Sequence, residues 1–242
     1  EVKTPGFGIA GIAGLVLVGT VFAGNYMAGL AGFEAILFFI LGLAFVVIDI
    51  FLLPGTFVFL ILGLLLWSFV HFFKRLAPTG RTAMQDKMGD ASKGIIALLL
   101  LASIVLMVIG YRNAPADFLW GRSAATTGIN NLLMLVSVAL FGLGSSKSRL
   151  RKKMRHPMLT GVIVWSASHL LVNGDTASIV LFGGLAIWAL AEMVLINRAE
   201  PDYTPYDGGS KAGDIRLGVI TLVVYGIIAA IHTWLGYYPF GG

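Results

Sequence analysis

The chain has 242 residues, 57% of them apolar and only 12% charged, with mean hydropathy +0.89 and a formal net charge of +5. No soluble domain of this size needs that balance, and the lack of cysteine removes disulfides, thiolate-ligated haem, iron–sulfur clusters and cysteine nucleophiles from consideration. The positive charge gathers in loops beside apolar runs, so it reads as an orientation signal; no nucleic-acid partner is expected.

The apolar runs predict an all-α, polytopic membrane helix bundle of about eight spans, since one crossing takes about 20 residues. In chain order they are Phe7–Met27, Phe33–Leu53, Thr56–Phe73, Gly94–Tyr111, Asn130–Gly144, Pro157–Val172, Ser178–Ile196 and Leu217–Leu235. The first is not read as a cleavable signal peptide, because no A-x-A-like site follows it. It carries a glycine ladder, Gly6, Gly8, Gly11 and Gly14, whose bare face lets another helix approach closely. Pro54-Gly55 makes the second and third spans a tight hairpin or one broken helix. The fifth and sixth are short for a crossing and are expected to be tilted or cavity-lining. The stretch Arg198–Asp214, with its prolines, glycines and four acids, is expected to be a flexible soluble connection.

Loop charge sets the expected topology. Lys147, Arg149, Arg151, Lys152, Lys153 and Arg155 share one loop, and the eight-span scheme puts fourteen basic residues on that side. Only Lys3, Arg112 and Arg122 face the other. Basic loops stay cytoplasmic, so both termini are expected on the non-cytoplasmic side of a bacterial inner membrane, or of an organelle's inner membrane as the alternative. The basic run also suits anionic lipid headgroups. The partners this implies are the bilayer, a membrane-complex partner and a hydrophobic small molecule.

The four histidines, His71, His156, His169 and His232, all lie in or beside apolar runs. An imidazole in hydrocarbon is costly without a partner or a task, and in a cysteine-free chain it is the natural axial ligand for haem or another metal. His156 and His169 are thirteen residues apart on one helix, about 20 Å, and on different faces, so they cannot share an iron. Depth leaves an inner pair, His71 with His156, and an outer pair, His169 with His232. For His232 the expectation is a helix-end imidazole bonded to a carbonyl or a lipid phosphate. Of the carboxylates, Glu192 is expected to pair with Arg198. Asn130, Asn131, Asn173 and Asp175 are expected to cap helices at the outer side.

Two family resemblances bear on these residues. Thr4-Pro5-Gly6-Phe7-Gly8 and Asp49-Ile50-Phe51-Leu52-Leu53-Pro54-Gly55 resemble the membrane segment of NfeD-type proteins. That implies a two-helix anchoring or assembly segment over residues 1–55. From about Thr56 to the C-terminus the chain resembles the NnrU family. The matching phrases are Val70-His71-Phe72-Phe73, Gly110-Tyr111-Arg112-Asn113-Ala114-Pro115 with Leu119-Trp120, and Arg155-His156-Pro157-Met158-Leu159. Trp165, His169-Leu170-Leu171-Val172-Asn173-Gly174-Asp175 and Leu181-Phe182-Gly183-Gly184 continue the order.

This second resemblance implies a six-helix membrane domain over residues 56–242. The family's name links it to nitrite and nitric oxide reduction, a denitrification accessory role. Its plant relative, the 15-cis-ζ-carotene isomerase, is a haem b enzyme with histidine ligation. By that likeness the ligands fall on His71 and His169. The expected topology, however, leaves those two about 14 Å apart in depth, and a tilted or shifted sixth helix is needed to bring them together. The cofactor expectation is therefore haem b on His71, with His156 or His169 as its partner. A non-enzymatic accessory subunit is the rival reading. Arg155-His156-Pro157 also resembles the R-H-P-x-Y phrase of membrane methyltransferases, which leaves methyl transfer as a further alternative.

Overall fold

The computed structural model describes residues 57–241. The chain divides into two compact units, Glu1–Pro54 and Gly55–Gly242, and all that follows concerns the second. The first two expected spans, the glycine ladder and the Pro54-Gly55 hairpin lie outside the described residues.

Seven helices make up the described unit: α1 (Val58–Leu76), α2 (Pro78–Met88), α3 (Ala91–Asn113), α4 (Ala124–Leu143), α5 (Pro157–Val172), α6 (Thr176–Ala199) and α7 (Lys211–Trp234). Five of them, α1, α3, α4, α6 and α7, are long and apolar enough to cross a membrane; α5 is apolar but has 16 residues. The fold is thus an all-α membrane bundle, with an apolar helix at each of the six positions expected after residue 56.

Local chemistry sets the boundaries. Pro78 cannot continue α1 and serves instead as the first residue of α2. That short polar helix has no counterpart in the expected elements, because it lacks an apolar face. It ends at Gly89, whose φ of 54° is natural only for glycine. The helix α4 starts six residues before the expected span. Ser123 accepts a hydrogen bond from the Thr126 amide while the Thr126 hydroxyl accepts one from the Ser123 amide, a capping box that outweighs the low hydropathy of the first turn. Asn130 and Asn131 therefore lie well inside α4 and cap nothing. Asp175 does cap as expected, its carboxylate accepting from both the amide and the hydroxyl of Ser178 at 2.8 and 2.7 Å.

Two features were not foreseen. Phe118–Trp120 (β1) pairs antiparallel with Gly174–Asp175 (β2), clipping the end of α3 to the α5–α6 corner. The clip needs Gly174, because any side chain there would collide with the Trp120 ring and carbonyl. And α6 is interrupted by a π turn over Ile179–Gly183.

The helices pack as a curved row in the order α3, α1, α6, α5, α4, α7. Two neighbours fit very tightly. At α1–α3, a Cβ on Gly63 would lie 2.7 Å from the Met107 Cγ, and one on Gly110 would overlap the Leu60 backbone. At α4–α5, the Ser137 hydroxyl donates across the interface to the Gly161 carbonyl at 2.8 Å. Small residues and interhelical hydrogen bonds are the forces left when the solvent is itself apolar. The buried core, Leu60, Met107, Leu185, Trp188 and Ala189, lies where α1, α3 and α6 meet. The row's end helices, α3 and α7, have no comparable packing between them.

One end of the bundle carries the β clip and the other the basic run. At the basic end, the connection between α6 and α7 is tied down. Arg149 binds the Asp214 carboxylate at 2.6 Å, Arg75 meets Glu200 at 3.2 Å, and Arg155 donates to the Glu200 carbonyl. Arg151 and Arg155 stack over the rings of Tyr206 and Tyr203. The expected flexible connection is thus held at several points: Glu200 and Asp214 meet cations of α1 and the basic run, and Tyr203 and Tyr206 lie under arginines of that run.

Candidate functional site

Three of the four histidines share one local geometry. His71 on α1, His169 on α5 and His232 on α7 each place Nδ1 at 2.8–2.9 Å from the carbonyl four residues back, that of Trp67, Trp165 and Ile228. A carbonyl only accepts, so Nδ1 carries the proton and Nε2 presents its lone pair. Such a second bond orients an imidazole for ligation and raises its basicity. The sequence holds the signal in repeated form, a tryptophan four residues before a histidine at Trp67–His71 and Trp165–His169. That spacing puts both rings on one helix face.

Aromatic side chains hold two of these imidazoles. His71 packs between Trp67 and Trp188, with ring centroids 4.3 and 4.7 Å away. His169 stacks on Phe182 at 4.6 Å, nearly parallel, with Trp165 at 4.8 Å. Phe182 lies in the π turn of α6. The Tyr111 hydroxyl reaches the Ser178 hydroxyl at 2.9 Å, tying α3 to the start of that turn.

All three imidazoles line one cavity of about 1160 Å³, to which all six apolar helices contribute. It exceeds the roughly 300–1,000 Å³ of ordinary small-molecule pockets. Its wall is mainly aliphatic and aromatic. Among the described residues, the only formally charged ones on it are Arg112 and Arg122, both at the clip end. Lining residues also come from α3 and α7, the two ends of the row. The Nε1 atoms of Trp67 and Trp188 are buried with no hydrogen-bond partner among the described residues.

His71 and His169 are thus brought to the same cavity. The rings they touch on α6, Trp188 and Phe182, are six residues apart, about 9 Å by helical rise. His232, expected to be only a carbonyl-bonded imidazole, makes that bond and also faces the cavity. His156 is placed elsewhere. It precedes α5 at the basic end, its Nε2 meets Asn197 Oδ1 at 2.8 Å, and it does not line the cavity. Glu192 is buried at 7% exposure and makes no ion pair with Arg198 among the described residues; one of its carboxylate oxygens has no hydrogen-bond partner there. Among the described residues no three His, Asp or Glu side chains converge on a metal-sized site.

The profile of the family described as NnrU protein matches residues 59–239. The chain belongs to the NnrU family. Residues 1–112 match the NfeD integral membrane domain, so the NfeD likeness extends well past the first two expected spans and overlaps the NnrU region. The chain is similar to Membrane protein NfeD1b of Bacillus subtilis (strain 168), at 36% identity over 106 residues, 44% of this chain and 23% of that protein. It therefore spans less than a quarter of the length of that curated relative. No solved structure matches. The NnrU match contains every residue of the cavity wall.

Proposed function

We propose that this NnrU-family protein binds b-type haem in the cavity, with His71 and His169 as axial ligands, and acts on a hydrophobic or redox partner in an isomerase-like role. The observation that carries this reading is that two imidazoles from different helices, each with Nδ1 on a backbone carbonyl and its ring against aromatic side chains, line one mainly apolar cavity. Two histidines on one cavity are too few for a bare metal centre but would suit a prosthetic group that brings further ligands of its own. When bound, such a group would contribute an iron with redox and ligand chemistry. The protein would contribute the two imidazoles that hold it and a largely apolar cavity wall.

The test is the absorption spectrum of the full-length protein purified after expression with ample haem. A Soret band that shifts on reduction is expected. His71→Ala and His169→Ala should each abolish or broaden it, whereas His156→Ala should leave it intact. Loss with His156 in place of His169 would favour the inner pair and weaken the isomerase likeness. A protein that stays colourless under these conditions overturns the haem reading. The accessory or assembly subunit then leads, a reading favoured by the NfeD match over residues 1–112.

Sidedness follows from the basic run, which belongs on the cytoplasmic face. The chain has no cysteine, so Ser146→Cys can be labelled without background. Labelling of that cysteine from outside intact cells would overturn the orientation.

A further inference from the structure

We infer that Arg112 and Arg122 form an anionic-group anchor at the clip end of the cavity, fixing which way round its amphiphilic ligand sits. On the haem reading, from which the ligand's identity comes, the anchored groups are the two propionate carboxylates. The macrocycle then lies in the apolar wall, with its charged edge directed at the clip.

Charge is the first ground. Among the described residues the cavity wall holds two arginines and no carboxylate, so their charge is not balanced by another of its described residues. Neither arginine forms an ion pair among the described residues. The second ground is position. Arg112 stands in the last turn of α3, where the helix dipole already favours a cation, so on its own it is explained. Arg122 is not. It directly precedes Ser123, the N-cap of α4, where the same dipole disfavours a cation. Arg122 is exposed, and one of its amine groups donates to the Tyr238 carbonyl at 3.0 Å, while its other donors have no partner among the described residues. The chain after α7 is pinned there a second time, where Asn131 donates to the Pro239 carbonyl at 3.0 Å. The third ground is chemical match. A guanidinium binds a carboxylate through two parallel bonds, and two guanidinia match two carboxylates.

The probes are haem and its dimethyl ester, in which both propionates are uncharged, each titrated into full-length apoprotein in detergent and followed by the Soret band. Wild type should bind haem about tenfold or more tightly than the ester, the scale of one or two charge-assisted bonds. Arg112→Gln with Arg122→Gln should lose that margin for haem and leave ester affinity unchanged. Arg122→Lys should recover part of it. The shape of the bound spectrum should not change, because the axial histidines are untouched. Equal wild-type affinity for the two porphyrins overturns the anchor and leaves the haem reading standing. So does a margin that survives the double variant but disappears in Trp67→Phe or Trp188→Phe, which would place the carboxylates at the unpartnered indoles. Wild type that binds neither porphyrin overturns the haem reading, and the anchor with it.

Discussion

The α1–α3 and α4–α5 seams and the space enclosed between them are built on opposite rules. In the seams, glycine and serine bring backbones together until no further atom fits: Gly110 lies against the Leu60 backbone and Gly161 against Ser137. In the space between, large rings and imidazoles stand around a void, and buried indole N–H groups go without partners. In lipid, where apolar surface gains little by leaving its solvent, packing is the main source of cohesion. A membrane protein that withholds packing from its centre keeps that centre for something else, and spends its closest contacts on holding the walls apart at a fixed distance.

The contrast is open to direct attack. The largest effect is expected at Gly110. Replacement by leucine would force α1 from α3, costing about 3 kcal/mol, at the upper part of the range for overpacking. Unfolding in detergent should show a large loss of stability or no folded protein at all. Next come His71→Ala and His169→Ala, which should remove the haem spectrum while the helical circular dichroism and the unfolding midpoint of the haem-free protein stay close to wild type. A collapse of the apoprotein on either change would mean that the imidazoles belong to the packing and that the two regions are not distinct. Ser137→Ala should cost only about 0.6 kcal/mol, the mean measured for hydrogen bonds between helices in a membrane. The smallest change should come from Met158→Ala on the cavity wall. Its side chain is already half exposed to the void, so it should cost less than the roughly 2–5 kcal/mol of a packed methionine. If Met158→Ala proved as damaging as Gly110→Leu, the cavity would have to be filled in the folded state without ligand.

Sequence reasoning reached the walls more readily than the centre. The six apolar helices after residue 56 were legible because hydropathy alone marks a segment that must live in lipid, and α5 was rightly short. What it misjudged depended on atoms far apart in the chain. The start of α4 was set by a capping pair, Ser123 and Thr126, in a stretch too polar to count as a span. The ordering of residues 200–210 came from Arg149, Arg151 and Arg155, about fifty residues earlier. His71 and His169 were both named, and both line the cavity. His232 was read as a helix-end group; nothing local to it shows that α7 flanks the same void. Arg112 and Arg122 looked like minority charges on the sparsely charged side, and only the cavity wall joins them.

The π turn at Ile179–Gly183 has a consequence for heredity as much as for shape. A π turn is one residue more than an α-helix needs, so the two halves of α6 are out of phase by about 100°, the rotation of a single residue in a helix of 3.6 per turn. That phase difference lets one helix offer Phe182 to α5 and Trp188 to α1. Deleting any one residue of the turn would heal the helix and, in the same stroke, swing one of the two aromatic rings off its histidine. The length of this short segment is therefore constrained along with the identity of Phe182: a single-codon deletion separates the two imidazoles' supports at once.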